Sequence, residues 1–194
     1  MATSGHIPVL LAETLRALAP APGETVVDCT AGLGGHARAL SEAIGAAGVL
    51  VLNDVDEGNL SRASRRVREG LGEGVPRIVE VCGNFSSIAR CVAAQGLRAG
   101  VVLADLGFSS SQMDDASRGF SFMRDGPLDM RLARREGSGT AGSGIELTPS
   151  AAELVASLPE SELARIIREY GEERNASGIA RKIAGARREN PITT

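Results

Sequence analysis

Glu24-Thr25-Val26-Val27-Asp28-Cys29-Thr30-Ala31-Gly32-Leu33-Gly34-Gly35-His36-Ala37 passes from a β-branched run through a glycine-rich turn into an apolar-periodic segment. Such a run reads as strand, tight turn, helix. Gly32, Gly34 and Ala37 satisfy the spacing G-x-G-x-x-[G/A] between the two elements. Glycine there permits a sharp turn and close approach of a ligand to backbone. The next strand-like run, Gly48 to Asn53, is followed at once by Asp54. A carboxylate at the tip of the second strand can accept both hydroxyls of a ribose. Turn and acid together point to an adenosine-type cofactor across the carboxyl ends of strands 1 and 2.

Working outward, strand-like and helix-like segments alternate. Pro8 to Ala19 has a helical period and is closed by Pro20 and Pro22. His36–Ile44, Glu57–Glu69 and Ser86–Gln95 read as helices, Arg77–Cys82 and Gly100–Asp105 as the third and fourth strands. Short apolar runs separated by helices predict parallel strands in a βαβ series. Residues 106–127 hold no regular period and are rich in Gly, Ser, Asp and Phe, which marks a functional loop. Leu128 to Arg135 reads as helical. Gly137 to Gly144 has the composition of a flexible linker. Three helices follow: Pro149–Ser157, Glu160–Tyr170 and Glu172–Glu189.

Asp28, Gly34, Gly35 and His36 surround the turn and can serve the polar end of a cofactor. A dinucleotide would set its pyrophosphate on the helix N-terminus; S-adenosylmethionine has no phosphate and needs polar contacts for its amino acid end. Phe85 follows the third strand and offers a face to an adenine. Asp105 closes the fourth strand, where an open sheet binds its ligands. There a carboxylate can accept a hydrogen bond from an exocyclic amine, and Phe108 can stack on the base that carries it. Positioning does most of the work in such a methyl transfer.

The chain has 194 residues, five aromatics and no tryptophan. Its four phenylalanines, Phe85, Phe108, Phe120 and Phe122, fall in one stretch, so the core is expected to be aliphatic. No apolar run reaches the ~18 residues of a membrane span, and no secretory leader is visible. Cys29, Cys82 and Cys91 form no Cys-x-x-Cys pair and read as small buried hydrophobes of a cytoplasmic protein. His6 and His36 make no metal site. The net charge of −3 excludes a generic polyanion binder.

The string Asp105-Leu106-Gly107-Phe108-Ser109-Ser110-Ser111-Gln112-Met113-Asp114-Asp115, continuing through Arg118-Gly119-Phe120-Ser121-Phe122 to Asp129-Met130-Arg131, resembles the signature of the RsmH/MraW family. Thr30 to His36, the opening His6-x-Pro8-Val9-Leu10-Leu11-x-Glu13, Tyr170-Gly171-Glu172-Glu173-Arg174 and Pro191-Ile192-Thr193-Thr194 are similar to that family as well. The resemblance implies an S-adenosylmethionine-dependent methyltransferase acting on the N4 of a cytosine in 16S ribosomal RNA. It implies a Rossmann-like class I methyltransferase sheet, here about four parallel strands, with a helical insertion. It implies cofactor contacts at Gly34, Gly35, His36, Asp54, Phe85, Asp105 and Gln112, with Asp105 also catalytic, and no metal. The expected division is 1–135 for the cofactor domain, 136–147 for the linker and 148–190 for a helical, RNA-recognising part.

The chain departs from the family at Phe108, usually aliphatic, and at Ser111, usually proline. Family members continue for roughly another hundred residues, so the resemblance implies an N-terminal portion with an exposed edge at the fourth strand and weak activity by itself. Arg174, Arg181, Lys182, Arg187 and Arg188 on the last helix form one candidate phosphate footprint; Arg118, Arg124 and Arg131 around the phenylalanine loop form another. Two other readings stand beside the methyltransferase: an NAD-dependent oxidoreductase on the same fold, and a non-catalytic RNA-binding module.

Overall fold

Val26 and Val27 are adjacent, both buried, and serve opposite faces of one sheet. The computed structural model describes residues 8–108, 110–132 and 148–194. Its strands are β1 (Thr25–Asp28), β2 (Val49–Asp54), β3 (Arg77–Cys82) and β4 (Val101–Leu103). They pair in parallel in the order β3-β2-β1-β4. All four runs read as strands are strands, and the fold is the expected parallel α/β arrangement.

Period-2 alternation sorts the strand residues between two cores. Val26, Leu50, Leu52 and Val101 meet α2 (Gly35–Ile44) and α3 (Glu57–Leu71) through Ala37, Leu40, Ile44, Leu60, Ala63 and Val67; Leu15 and Leu18 of α1 (Leu11–Leu18) pack on the same cluster. Val27 and Val51 face the other way, toward Val92 and Ile88 of α4 (Ile88–Ala94). No ring enters either core among the described residues. Truncating Leu50 or Leu52, both fully buried, would cost about 2–5 kcal/mol.

The chain steps from β1 to β2 to β3 in one direction, then crosses to β4 on the far side of β1. The strand order therefore reverses between β1 and β4, the place where open α/β sheets bind ligands. β4 is an outer strand, and Val102, in register with Val27, is 55% exposed.

Two compact units divide the described residues: 8–107 with Leu132, and 108, 110–131 with 148–194. The second contains α5 (Ser110–Asp114), α6 (Ala151–Ser157), α7 (Glu160–Glu169) and α8 (Ala176–Glu189). Ser150 and Glu153 cap α6 reciprocally, which fixes its first turn. α7 and α8 pack through Leu163, Ala164 and Ala180.

Three sequence expectations change here. The helix expected over 128–135 is absent from its described part: the Leu128 N–H donates to the Thr193 carbonyl, the Met130 N–H to the Arg118 carbonyl, and Met130 has φ 59°. Tertiary hydrogen bonds replace the helical ones there. The last helix begins at Ala176, not Glu172, because Glu172 takes a left-handed φ of 53°. Its innermost line is Ala176, Ala180 and Ala184, and the first helix, expected from Pro8, begins at Leu11. His6, Ser109 and the glycine-rich linker lie outside the described residues.

Candidate active site

The turn after β1 is stitched to the strands on both sides. The Cys29 N–H donates to the Leu103 carbonyl beyond it, and the Ala31 N–H to the Asn53 carbonyl. Gly34 donates back to Ala31, closing the turn. Gly32 and Gly34 both have positive φ, 51° and 77°. They differ in what surrounds them. A Cβ on Gly34 would lie 2.7 Å from the Ala63 Cα, so this glycine lets α2 press against α3. A Cβ on Gly32 would meet little beyond the Thr30 carbonyl at 3.7 Å. Close backbone approach at Gly34 thus serves helix packing, which the sequence pattern by itself does not distinguish from ligand approach.

Asp54 ends β2 beside this turn. Its Oδ2 accepts the Gly32 N–H at 2.8 Å and its Oδ1 the Asp56 N–H at 2.9 Å. Burial raises its carboxyl above the ordinary range, while these two N–H groups oppose the rise. The Asn59 side chain also reaches this carboxylate, and the lone pairs that remain can receive a diol.

Asp28 lies at the carboxyl end of β1 and is 1% exposed. Its Oδ1 accepts the Thr30 N–H at 3.1 Å, and its Oδ2 has no protein partner. Burial, with the Asp54 and Asp105 carboxylates adding to it, pushes this carboxyl up to about 7. Asp105 follows β4 and is fixed by its main chain: its N–H donates to Thr30 Oγ1 at 2.8 Å. Its carboxylate, 62% exposed, lies 3.7 Å from Nδ1 of His36. His36, in the first turn of α2, is held below the ordinary imidazole value by burial, against the pull of Asp105. It is therefore neutral near pH 7, and its buried Nε2 has no protein partner.

Asn53 completes the edge of the site. Its Nδ2 donates to the carbonyls of Val81 and Gly83, which pins the turn leaving β3. Phe85 follows in a single 3-10 turn capped by Asn84 and is 43% exposed. The strand ends thus bring together Gly34, Gly35, His36, Asp54 and Asp105, with Phe85 just past β3. Gln112 belongs to the second unit, buried on α5. Sequence reasoning missed Thr30 and Asn53. Neither carries a motif of its own; only a hydroxyl and an amide at strand ends hinted at them.

Several expectations about the aromatic and basic residues are revised. Phe108 and Phe120 stack on each other, centroids 5.4 Å apart and planes within 6°, so one face of Phe108 is taken. The second phosphate footprint is spent on its own loop: Arg118 is buried beside Asp115, Arg124 donates to the Asp114 carbonyl, and Arg131 pairs with Asp129 at 2.6 Å. On α8, Arg187 donates to the carbonyls of Val155 and Leu158 and is a clamp. Arg181, Lys182 and Arg188 stay exposed on α8, and Arg174 is exposed on the loop before it. Among the described residues, no group of three His, Cys, Asp or Glu is arranged to hold a metal, and no helix is long and apolar enough to cross a membrane.

Comparison with known proteins bears on this site. Ribosomal RNA small subunit methyltransferase H of Granulibacter bethesdensis is 44% identical over 194 residues, covering 99% of this chain and 53% of that protein. Its namesake from Symbiobacterium thermophilum is 46% identical over 190 residues, covering 97% and 55%. The chain spans about half the length of the curated relatives it matches. Likeness to solved structures is more partial: a SAM-dependent methyltransferase of Aquifex aeolicus overlaps 38% of each chain at 23% identity with a TM-score of 0.33, too little to weigh on function. The match to the MraW methylase family runs over residues 3–194, and this chain belongs to that family.

Proposed function

We propose that this chain is the cofactor-binding portion of an S-adenosylmethionine-dependent methyltransferase whose target is the N4 amine of a cytosine in the RNA of the small ribosomal subunit, in the cytoplasm. One observation carries the reading within this family: Asp28, Asp54 and Asp105 converge at the strand switch point, with a neutral His36 beside Asp105. The Asp54 and Asp105 carboxylates repel a pyrophosphate and favour a nucleoside that carries positive charge. This disfavours the NAD alternative. The orphaned buried Oδ2 of Asp28 and Nε2 of His36 fit a ligand with polar and cationic ends.

Asp54 would hold the ribose hydroxyls with the lone pairs left free by Gly32 and Asp56. Phe85 would cover the adenine, and the turn at Gly34, Gly35 and His36 the remaining polar groups. The bound cofactor supplies a methyl group already activated on a sulfonium. Asp105, main chain fixed and carboxylate exposed, would accept a hydrogen bond from the target amine and orient its lone pair. The helical segment 148–190 would face the RNA through Arg174, Arg181, Lys182 and Arg188. Calorimetry with S-adenosylmethionine and with NAD tests the reading. Binding of the first and not the second is expected; the reverse pattern refutes it.

A further inference from the structure

Asp28 is the one site acid to which the binding scheme above assigns no particular group of the ligand. It is 1% exposed, one oxygen is occupied by the Thr30 N–H, and the other meets no protein donor. The charges acting on it come from Asp54 at the tip of β2 and Asp105 beyond β4, and both are negative. From α2, His36 is neutral and 3.7 Å from Asp105 rather than paired with Asp28. The neighbouring Cys29 thiol is pushed up by burial and by Asp28 itself, so it brings no compensating charge. No cation among the described residues relieves the group. A buried carboxyl flanked by two carboxylates holds its proton until a positive charge arrives.

We propose that Asp28 is a proton-linked positioning residue: a cationic ligand entering the switch-point crevice drives the proton off Asp28 to solvent, and cofactor affinity is coupled to that release. The inference rests on the S-adenosylmethionine reading above. Asp28 need not touch the ligand, since its new charge acts through the low-dielectric wall of the site. The ligand-free carboxyl titrates at about 7. Below that value binding must expel a proton, so affinity rises with pH and then levels off. His36 is displaced downward, and the α-amino group of the ligand titrates near 8. The native chain and Asp28→Asn share both of these groups, so the difference between them from pH 5.5 to 7 isolates the acid.

The test is titration calorimetry of the full 194-residue chain with S-adenosylmethionine, in buffers of different ionisation enthalpy. About one proton released per ligand is expected at pH 6, with affinity rising about tenfold from pH 5.5 to 7. Asp28→Asn should bind with a flat pH profile and no proton release. A merely structural role would weaken binding equally at every pH. The proposal is overturned if the heat is independent of buffer, or if Asp28→Asn keeps the slope. Should that variant fail to fold, carboxyl-carbon NMR of the native chain follows Asp28 directly; its midpoint must fall when ligand binds, and an unmoved midpoint overturns the proposal. Binding without proton release sinks this inference and leaves the cofactor reading standing. No binding at any pH sinks both.

Discussion

Asp54 Oδ2 accepts the Gly32 N–H at 2.8 Å, so the acid at the tip of β2 and the glycine turn after β1 form one hydrogen-bonded unit. Cofactor recognition and turn geometry are therefore coupled through a single carboxylate. Replacing Asp54 with Asn removes the charge and tends to set an amide donor against the Gly32 or Asp56 N–H. Losing charged hydrogen bonds of this kind costs roughly 1.5–3 kcal/mol, or roughly 10- to 150-fold in Kd. Calorimetry with S-adenosylmethionine should show that loss. An unchanged Kd would remove Asp54 from the ribose.

The two turn glycines should respond differently to alanine. Both would strain a left-handed backbone, at about 1–2 kcal/mol. Gly34→Ala additionally drives its methyl to within 2.7 Å of the Ala63 Cα, a backbone atom that yields only if α2 moves off α3. Overpacking of this kind adds about 1–3 kcal/mol. Urea unfolding should rank Gly34→Ala clearly below Gly32→Ala. Equal midpoints would mean that α2 and α3 separate readily enough to admit the methyl group.

The acid cluster also sets the pH dependence of stability. The folded-state carboxyl of Asp28 lies near 7, against 3.8 for the ordinary group. Between those values the folded chain holds a proton that the unfolded chain has lost. Stability therefore falls as pH rises from about 4 to 7, then levels off. The penalty is on the order of 4 kcal/mol when fully developed. Asp28→Asn carries no such penalty. Its urea midpoint should exceed that of the native chain at pH 8, and the advantage should shrink as pH falls and vanish only below about pH 4. A pH-independent difference between the two chains would mean that Asp28 is ionised throughout.

The sequence made the strands legible because β-branched runs such as Thr25–Asp28 leave few alternatives, and Gly32 and Asp54 announced the cofactor side. Asp28 was legible only as a polar turn residue. Its character comes first from burial and then from Asp54 and Asp105, which approach it from the ends of two other strands. Residues 172–175 look as helical as those that follow, and only the φ of Glu172 reveals the break. Likewise Met130 leaves its expected helix because Arg118 offers its main chain a partner. The effects at Asp28 and Met130 are long-range, invisible to a periodicity confined to a short window.

Arg187 and its neighbours on α8 separate fold from recognition. Arg187 is half-buried and donates to the last carbonyls of α6 and the residue after it, Val155 and Leu158. Arg187→Ala should destabilise the helical unit by about 1.5–3 kcal/mol through loss of charged hydrogen bonds, visible as a lower urea midpoint. Arg181, Lys182 and Arg188 are exposed. Neutralising the three to Gln should change stability by no more than about 0.5 kcal/mol each. If they meet phosphates, the slope of log affinity against log salt for small-subunit RNA should fall by about 0.7–0.9 per contact. The same substitutions with an unaltered slope would assign α8 a purely structural role. RNA recognition would then have to use other surfaces, because the guanidiniums of Arg118, Arg124 and Arg131 are already engaged within their own loop.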